Sequence, residues 1–148
     1  RRVFLFPPRE PAMSFTNINA ALVAGYQAAA LNLPTAYEGV DFAPTAGQPW
    51  AAVSMLPLPV VGGSLGAAGN DRHTGTFQVD LNDVTGGGIA RLLSLADTLR
   101  GYFKAGRQLD GNGLPVLVNS TSRSVVTNKD GWLRMSVIVA WTAWTDHG

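Results

Sequence analysis

RHTGTFQVDLNDVTGGGIARLLSLADTLRGYFK, residues 72–104, joins two hydrophobic periods across a glycine break, and the fold class follows from that junction. From Arg72 to Leu81 the period is two. His73, Gly75, Phe77, Val79 and Leu81 share one face; Arg72, Thr74, Thr76, Gln78 and Asp80 share the other. Side chains alternate across a strand, so one face is burial-ready and the other tolerates water. Asn82 to Gly88 breaks the strand. Ile89, Leu92, Leu93, Ala96, Leu99 and Phe103 then recur at helical spacing, with Arg91, Arg100 and Lys104 off the stripe and Gly106 as a stop signal. A strand with one apolar face followed by an amphipathic helix implies a sheet with a helix lying on it.

The flanking chain supplies the remaining elements. Ser14 is a good helix N-cap, and Ile18, Ala21, Leu22, Gly25, Tyr26 and Ala29 follow at helical spacing until Asn32 to Pro34 ends the run. A short strand is expected around Ala36 to Glu38, and a longer one over Trp50 to Leu56 with Val53 and Met55 on one face. Pro57 to Asp71 reads as a long, glycine-rich hairpin tip. Arg107 to Leu109 starts a strand, Asp110-Gly111-Asn112-Gly113 turns it, and Leu114 to Val126 is extended. A second turn at Asn128-Lys129-Asp130-Gly131 leads into Trp132 to Thr145. There Leu133, Met135, Val137, Val139 and Trp141 line one face, and the other face is also fairly apolar, so the strand is central or covered by another subunit. The order predicts an α+β domain: a mainly antiparallel sheet with two principal helices packed on one face.

Residues 1–12 differ from the rest. Arg1, Arg2 and Arg9 stand against Glu10, prolines block regular structure, and Met13-Ser14 reads as an ordinary protein start. The segment is expected to be an N-terminal extension, flexible or docking as an arm on a neighbour, before a single domain over residues 13–148.

Composition narrows the function. Charged residues make up 14% against the usual quarter or so, leaving more surface to share with a neighbour. A net charge of +1 argues against nucleic-acid binding through a dominant basic surface. With no cysteine, thiolate metal sites and disulfides are excluded, and no apolar run approaches the roughly 18 to 20 residues of a membrane helix.

No catalytic constellation emerges. Gly86-Gly87-Gly88 opens a helix but lacks the lysine and hydroxyl of a phosphate loop. His73 and His147 are far apart, with no second ligand at metal-binding spacing, so His73 is expected to be packed or partly exposed. Asp80 and Asp83 read as solvated carboxylates near a helix N-terminus. Ser14, Ser64 and Ser94 lack a nucleophile's elbow. Trp141 belongs to the core face, whereas Trp144 is a candidate interface anchor.

Residues 13–145 also resemble a known family. Ser14-Phe15-Thr16-Asn17-Ile18 opening a helix, Leu33-Pro34-Thr35-Ala36-Tyr37-Glu38-Gly39-Val40, Phe42 to Trp50, the strand ending Met55-Leu56-Pro57, and Gly75-Thr76-Phe77-Gln78-Val79-Asp80-Leu81 with its glycine-led helix together look like the tail terminator-like proteins of long-tailed bacteriophages and prophages. The resemblance implies a structural virion protein of the tail or neck, assembled in the bacterial host cytoplasm. It implies no enzyme activity and no cofactor. Its expected partners are its own copies in a hexameric ring, the tail tube protein and a head-connector or head-closure protein, without membrane or sequence-specific nucleic acid. Another neck or tail component, head-closure or tube-like, is the alternative; a small ligand-binding domain or enzyme is a more distant one. On this reading Val60, Val61 and Leu65 in the long tip, with Trp144, are the expected partner-binding residues; local packing of the tip on its own sheet edge stays open.

Overall fold

The computed structural model describes residues 15–58, 61–62 and 70–146. The expectations for residues 1–12, the Ser14 cap, His147, and the tip residues Val60 and Leu65 lie outside them.

Two 15-residue strands form the spine. β4 (Asn70–Val84) and β8 (Trp132–Asp146) pair antiparallel over their whole length, from Asn70 opposite Asp146 to Val84 opposite Trp132. Around them the sheet runs β1-β2-β4-β8-β6-β5, with β1 (Thr35–Ala36), β2 (Trp50–Pro57), β5 (Gln108–Gly111) and β6 (Leu114–Arg123). Two short strands extend the ladder: β3 (Val61–Gly62) continues along β4 beyond β2, and β7 (Thr127–Lys129) continues along β8 beyond β6. Among the described residues only β1 pairs parallel, with β2.

Both helices, α1 (Phe15–Ala28) and α2 (Ala90–Tyr102), lie on the same side of this sheet. Beneath them Phe77, Val79, Leu81, Met135, Val137, Val139 and Trp141 of the two spine strands are buried, as the period-two pattern requires. Ile18, Leu22 and Tyr26 from α1 and Leu92, Leu99 and Phe103 from α2 complete the core. The helix α1 sits so close to the β5 end that a Cβ at Gly111 would overlap the Asn17 carbonyl, so only glycine fits there. Both hairpin turns form as their sequences indicate. Asn112-Gly113 and Asp130-Gly131 each place two consecutive residues at positive φ (54° and 93°; 52° and 84°) between strands paired at Gly111–Leu114 and Lys129–Trp132.

Several local expectations need correction. Ile89 does not join the buried stripe; it precedes α2, 40% exposed, because the turn through Gly86 and Gly88 (φ 95° and 82°) delays the helix by one residue. Gly106 does not cap α2, which ends at Tyr102 with the Phe103 N–H donating to the Leu99 carbonyl; Gly106 instead donates to the Val118 carbonyl at 2.8 Å. The first strand is Thr35–Ala36, not Ala36 to Glu38, its start drawn back by the Ala51 N–H bonding the Pro34 carbonyl. The Pro57 to Asp71 segment is not loop throughout: Leu58 donates to Thr74, and Val61 and Gly62 pair with Arg72 and Asp71. Backbone pairing is available along the whole of β4, so the ladder outruns what the prolines and glycines suggest.

Candidate functional site

The residues examined for chemistry are accounted for by packing. His73 is buried on the core side, edge-on to Phe15 at 6.3 Å between ring centroids. Burial pushes its pKa down, partly opposed by the negative charge of Asp71. Asp80 and Asp83, expected in solvent, are drawn out of it, Asp83 almost fully and Asp80 in part. Asp83 is buried, accepts the Val84 N–H at 2.8 Å and pairs with Arg91 of α2 at 3.4 Å, tying the end of β4 to the first helical turn. Asp80 is half-buried; one of its oxygens accepts from Gln78 Nε2 at 2.8 Å and from the Ser136 hydroxyl at 2.5 Å. Among the described residues no group of His, Asp and Glu converges as a metal site, and no helix is long and apolar enough to cross a membrane. Gly86, Gly87 and Gly88 are exposed turn residues.

What remains is surface, and the sheet face away from the helices is only partly covered among the described residues. The register places its residues in rungs. At one end Trp50, Asn82 and Arg134 form a rung closed by aromatic rings: Phe42 lies against Trp50 at 5.3 Å, and Trp132 meets Trp50 edge-on at 5.9 Å. Arg134 Nε donates to Asn82 Oδ1 at 2.8 Å, and Asn82 Nδ2 donates to the Asp80 carbonyl at 3.2 Å, so the fully buried amide is satisfied on both sides. The Asp80, Ser136 and Gln78 cluster follows. Then polarity fades. Leu56 aligns with Thr76 and Ala140, and Thr74 aligns with Thr142 and Leu117.

At that far end Leu56, Leu58, Leu117 and Trp144 are all exposed, Leu58 by 58% and Trp144 by 49%. Trp144 stands opposite Arg72, with Leu58 bonded through its N–H to Thr74. The structure thus gathers Trp144 with three leucines that sequence reasoning did not single out. Alternation from the buried Val53 and Ala51 was the available signal, because Leu56 and Leu58 fall on the opposite parity. Val61 has a backbone place opposite Arg72, in the same rung as Trp144.

No curated protein is significantly similar to the chain. A solved chain 22% identical to it superposes with a TM-score of 0.71, covering 88% of this chain and 96% of its own length; at that identity the likeness shows the fold alone, and it is the same α+β arrangement of two helices on a mostly antiparallel mixed sheet. The family described as phage tail terminator protein matches residues 17–141, which takes in every element from the first turn of α1 to Trp141 of β8. The chain therefore belongs to the phage tail terminator protein family.

Proposed function

We propose that this subunit closes a ring, by extension of the family a hexameric one, on the end of the tail tube, stops the tube's growth and offers a surface for the head connector. Membership of the family already makes the chain a structural, non-enzymatic component of the virion tail. The match over residues 17–141 is the observation that carries the rest. The uncovered sheet face, ending in Leu56, Leu58, Leu117 and Trp144, supports a subunit that buries surface on assembly.

The Pro57 to Asp71 segment is the part we assign to the tube. Within it, Val61 and Gly62 are held by backbone pairing with Arg72 and Asp71. Light scattering with tube protein present tests ring closure, and a monomer that persists with the tube protein overturns it. Electron microscopy of tails made with Val60, Val61 and Leu65 all changed to serine tests the tip: overlong or headless tails support the assignment, and normal tails reject it. A ring that binds portal proteins but not tubes would make the chain a head-closure component instead.

A further inference from the structure

β6 changes character halfway along. Up to Leu117 it is flanked by β5 on one side and β8 on the other. Gly106 and Arg107 bond to Val118, and beyond that point the edge away from β8, from Asn119 to Arg123, has no backbone partner among the described residues. A register shift between Val118 and Ser120 occurs at the same place. Its consequence is a switch of face. Before it, Val116 and Val118 oppose the buried Ala143 and Trp141. After it, Thr121 and Arg123 oppose the buried Val139 and Val137, so an arginine stands on the helix side of the sheet. Re-aiming a side chain in this way is what bulges do.

The re-aimed residues line a groove of about 270 Å³ between α2 and the open edge, with Ala96, Asp97, Arg100, Thr121, Arg123 and Val137 on its walls. Thr121 is fixed by donating its hydroxyl to the Phe103 carbonyl at 2.5 Å. Arg100 and Arg123 have no carboxylate within ion-pair distance among the described residues, Asp97 included, and Arg123 donates from one Nη to the Ser124 carbonyl at 3.2 Å. A strand edge unpaired among the described residues, the apolar Ala96 and Val137, and two guanidinium groups without a carboxylate together specify a ligand. The edge takes an extended backbone, and the arginines take carboxylates.

We infer that the Asn119–Arg123 edge and the groove under α2 receive an extended acidic segment by strand addition. The segment comes from a different chain, because no two acidic side chains of this sequence stand two residues apart, the spacing that puts both on one face of a strand. The groove lies on the helix side of the sheet, the face opposite Leu117.

The test uses the whole chain and a blocked hexapeptide alternating valine with glutamate, followed by amide NMR and hydrogen exchange. Saturable shifts and slowed exchange at Asn119 to Arg123 are expected, weakening with salt. The double variant R100E/R123E should fold normally and bind about tenfold more weakly or worse, two exposed charge pairs being reversed. A valine–lysine hexapeptide should not bind. Equal binding of both peptides, no saturable binding, or binding indifferent to the charge reversal overturns the inference. So does a fall in self-association of R100E/R123E without any peptide effect, which would give the edge to a second copy. Ring closure is read separately by light scattering, so either idea can fail alone.

Discussion

The two faces of the β4–β8 pair are made by the same thirty residues and live in different solvents. On the helix side Phe77, Val79, Leu81, Met135, Val137, Val139 and Trp141 are fully or almost fully buried. On the other side Thr76, Gln78, Asp80, Ser136, Ile138 and Ala140 are only half-buried, with neighbouring side chains as their sole cover among the described residues. The first face contributes through apolar area removed from water, and the second through hydrogen bonds that keep its polar groups satisfied. Stability should therefore concentrate on one side of the sheet and assembly on the other.

The largest effect that tests this division comes from a pair of truncations three residues apart on β8. Trp141→Ala removes a ring that packs within 2.8 Å of where a Gly75 Cβ would stand, so the cavity is walled by backbone and cannot collapse easily. Removing a buried aromatic side chain costs about 3–5 kcal/mol. The indole N–H of Trp141 has no partner among the described residues, so the wild type already bears an unsatisfied donor and the loss should fall at the lower end. Ile138→Ala, on the other face, should cost about 1 kcal/mol, since part of its area is never withdrawn from water. Urea unfolding of the two variants measures the difference. Equal losses would mean that the second face is a core in its own right.

Asn82→Ala is next. It strips the acceptor from Arg134 and leaves the guanidinium without its partner. A loss of about 1–3 kcal/mol is expected, the range for orphaning a buried polar group. The double variant with Arg134→Met should recover part of it, because removing both partners is milder than removing one. Denaturant midpoints of the single and double variants check this, and a double variant worse than the sum would refute the pairing.

How far these contrasts were legible beforehand depended on the range of the interaction. Period two over Arg72 to Leu81 and over Trp132 to Thr145 assigned the buried face residue by residue, because alternation is a local property of the backbone. The two positive-φ turns were legible for the same reason: Asn-Gly and Asp-Gly state their own conformation. Asp83 was misread as solvated because its partner Arg91 and the covering helix are set by tertiary packing, which spacing near a glycine turn does not encode. The face switch on β6 has no sequence signal either. Nothing in Val118-Asn119-Ser120 announces an extra residue, and without it Arg123 would be assigned to the wrong side.

His73 gives a smaller, pH-dependent contrast. Burial depresses its pKa in the folded chain, while the unfolded chain keeps the ordinary value of about 6.5. Below that value the unfolded state binds the proton more readily, so stability is full above about 6.5 and falls as the pH drops toward the folded value. The melting temperature of wild type should therefore decline faster between pH 7 and 5 than that of His73→Gln, whose side chain does not titrate. Parallel curves would show that other groups dominate that window.

Trp144 carries the smallest expected effect on folding and the sharpest test of what the uncovered face is for. It is 49% exposed, next to β4 on one side and, through Leu117 and Thr142, close to β6 on the other. Serine in its place should change subunit stability by no more than about 0.5 kcal/mol, as for other exposed positions without a special contact. Assembly is another matter. An exposed aromatic ring on the same sheet face as Leu56 and Leu117 is the kind of residue whose truncation weakens an interface by about 2 kcal/mol or more when it sits at the centre. The comparison is thus between two measurements on one variant, unfolding in urea and mass by light scattering with tube protein present. An unchanged midpoint with lost association places the interface on this face. A lowered midpoint with intact association would place Trp144 with the core residues across the strand, and the division of labour between the two faces would then end short of the last turn of β8's twist.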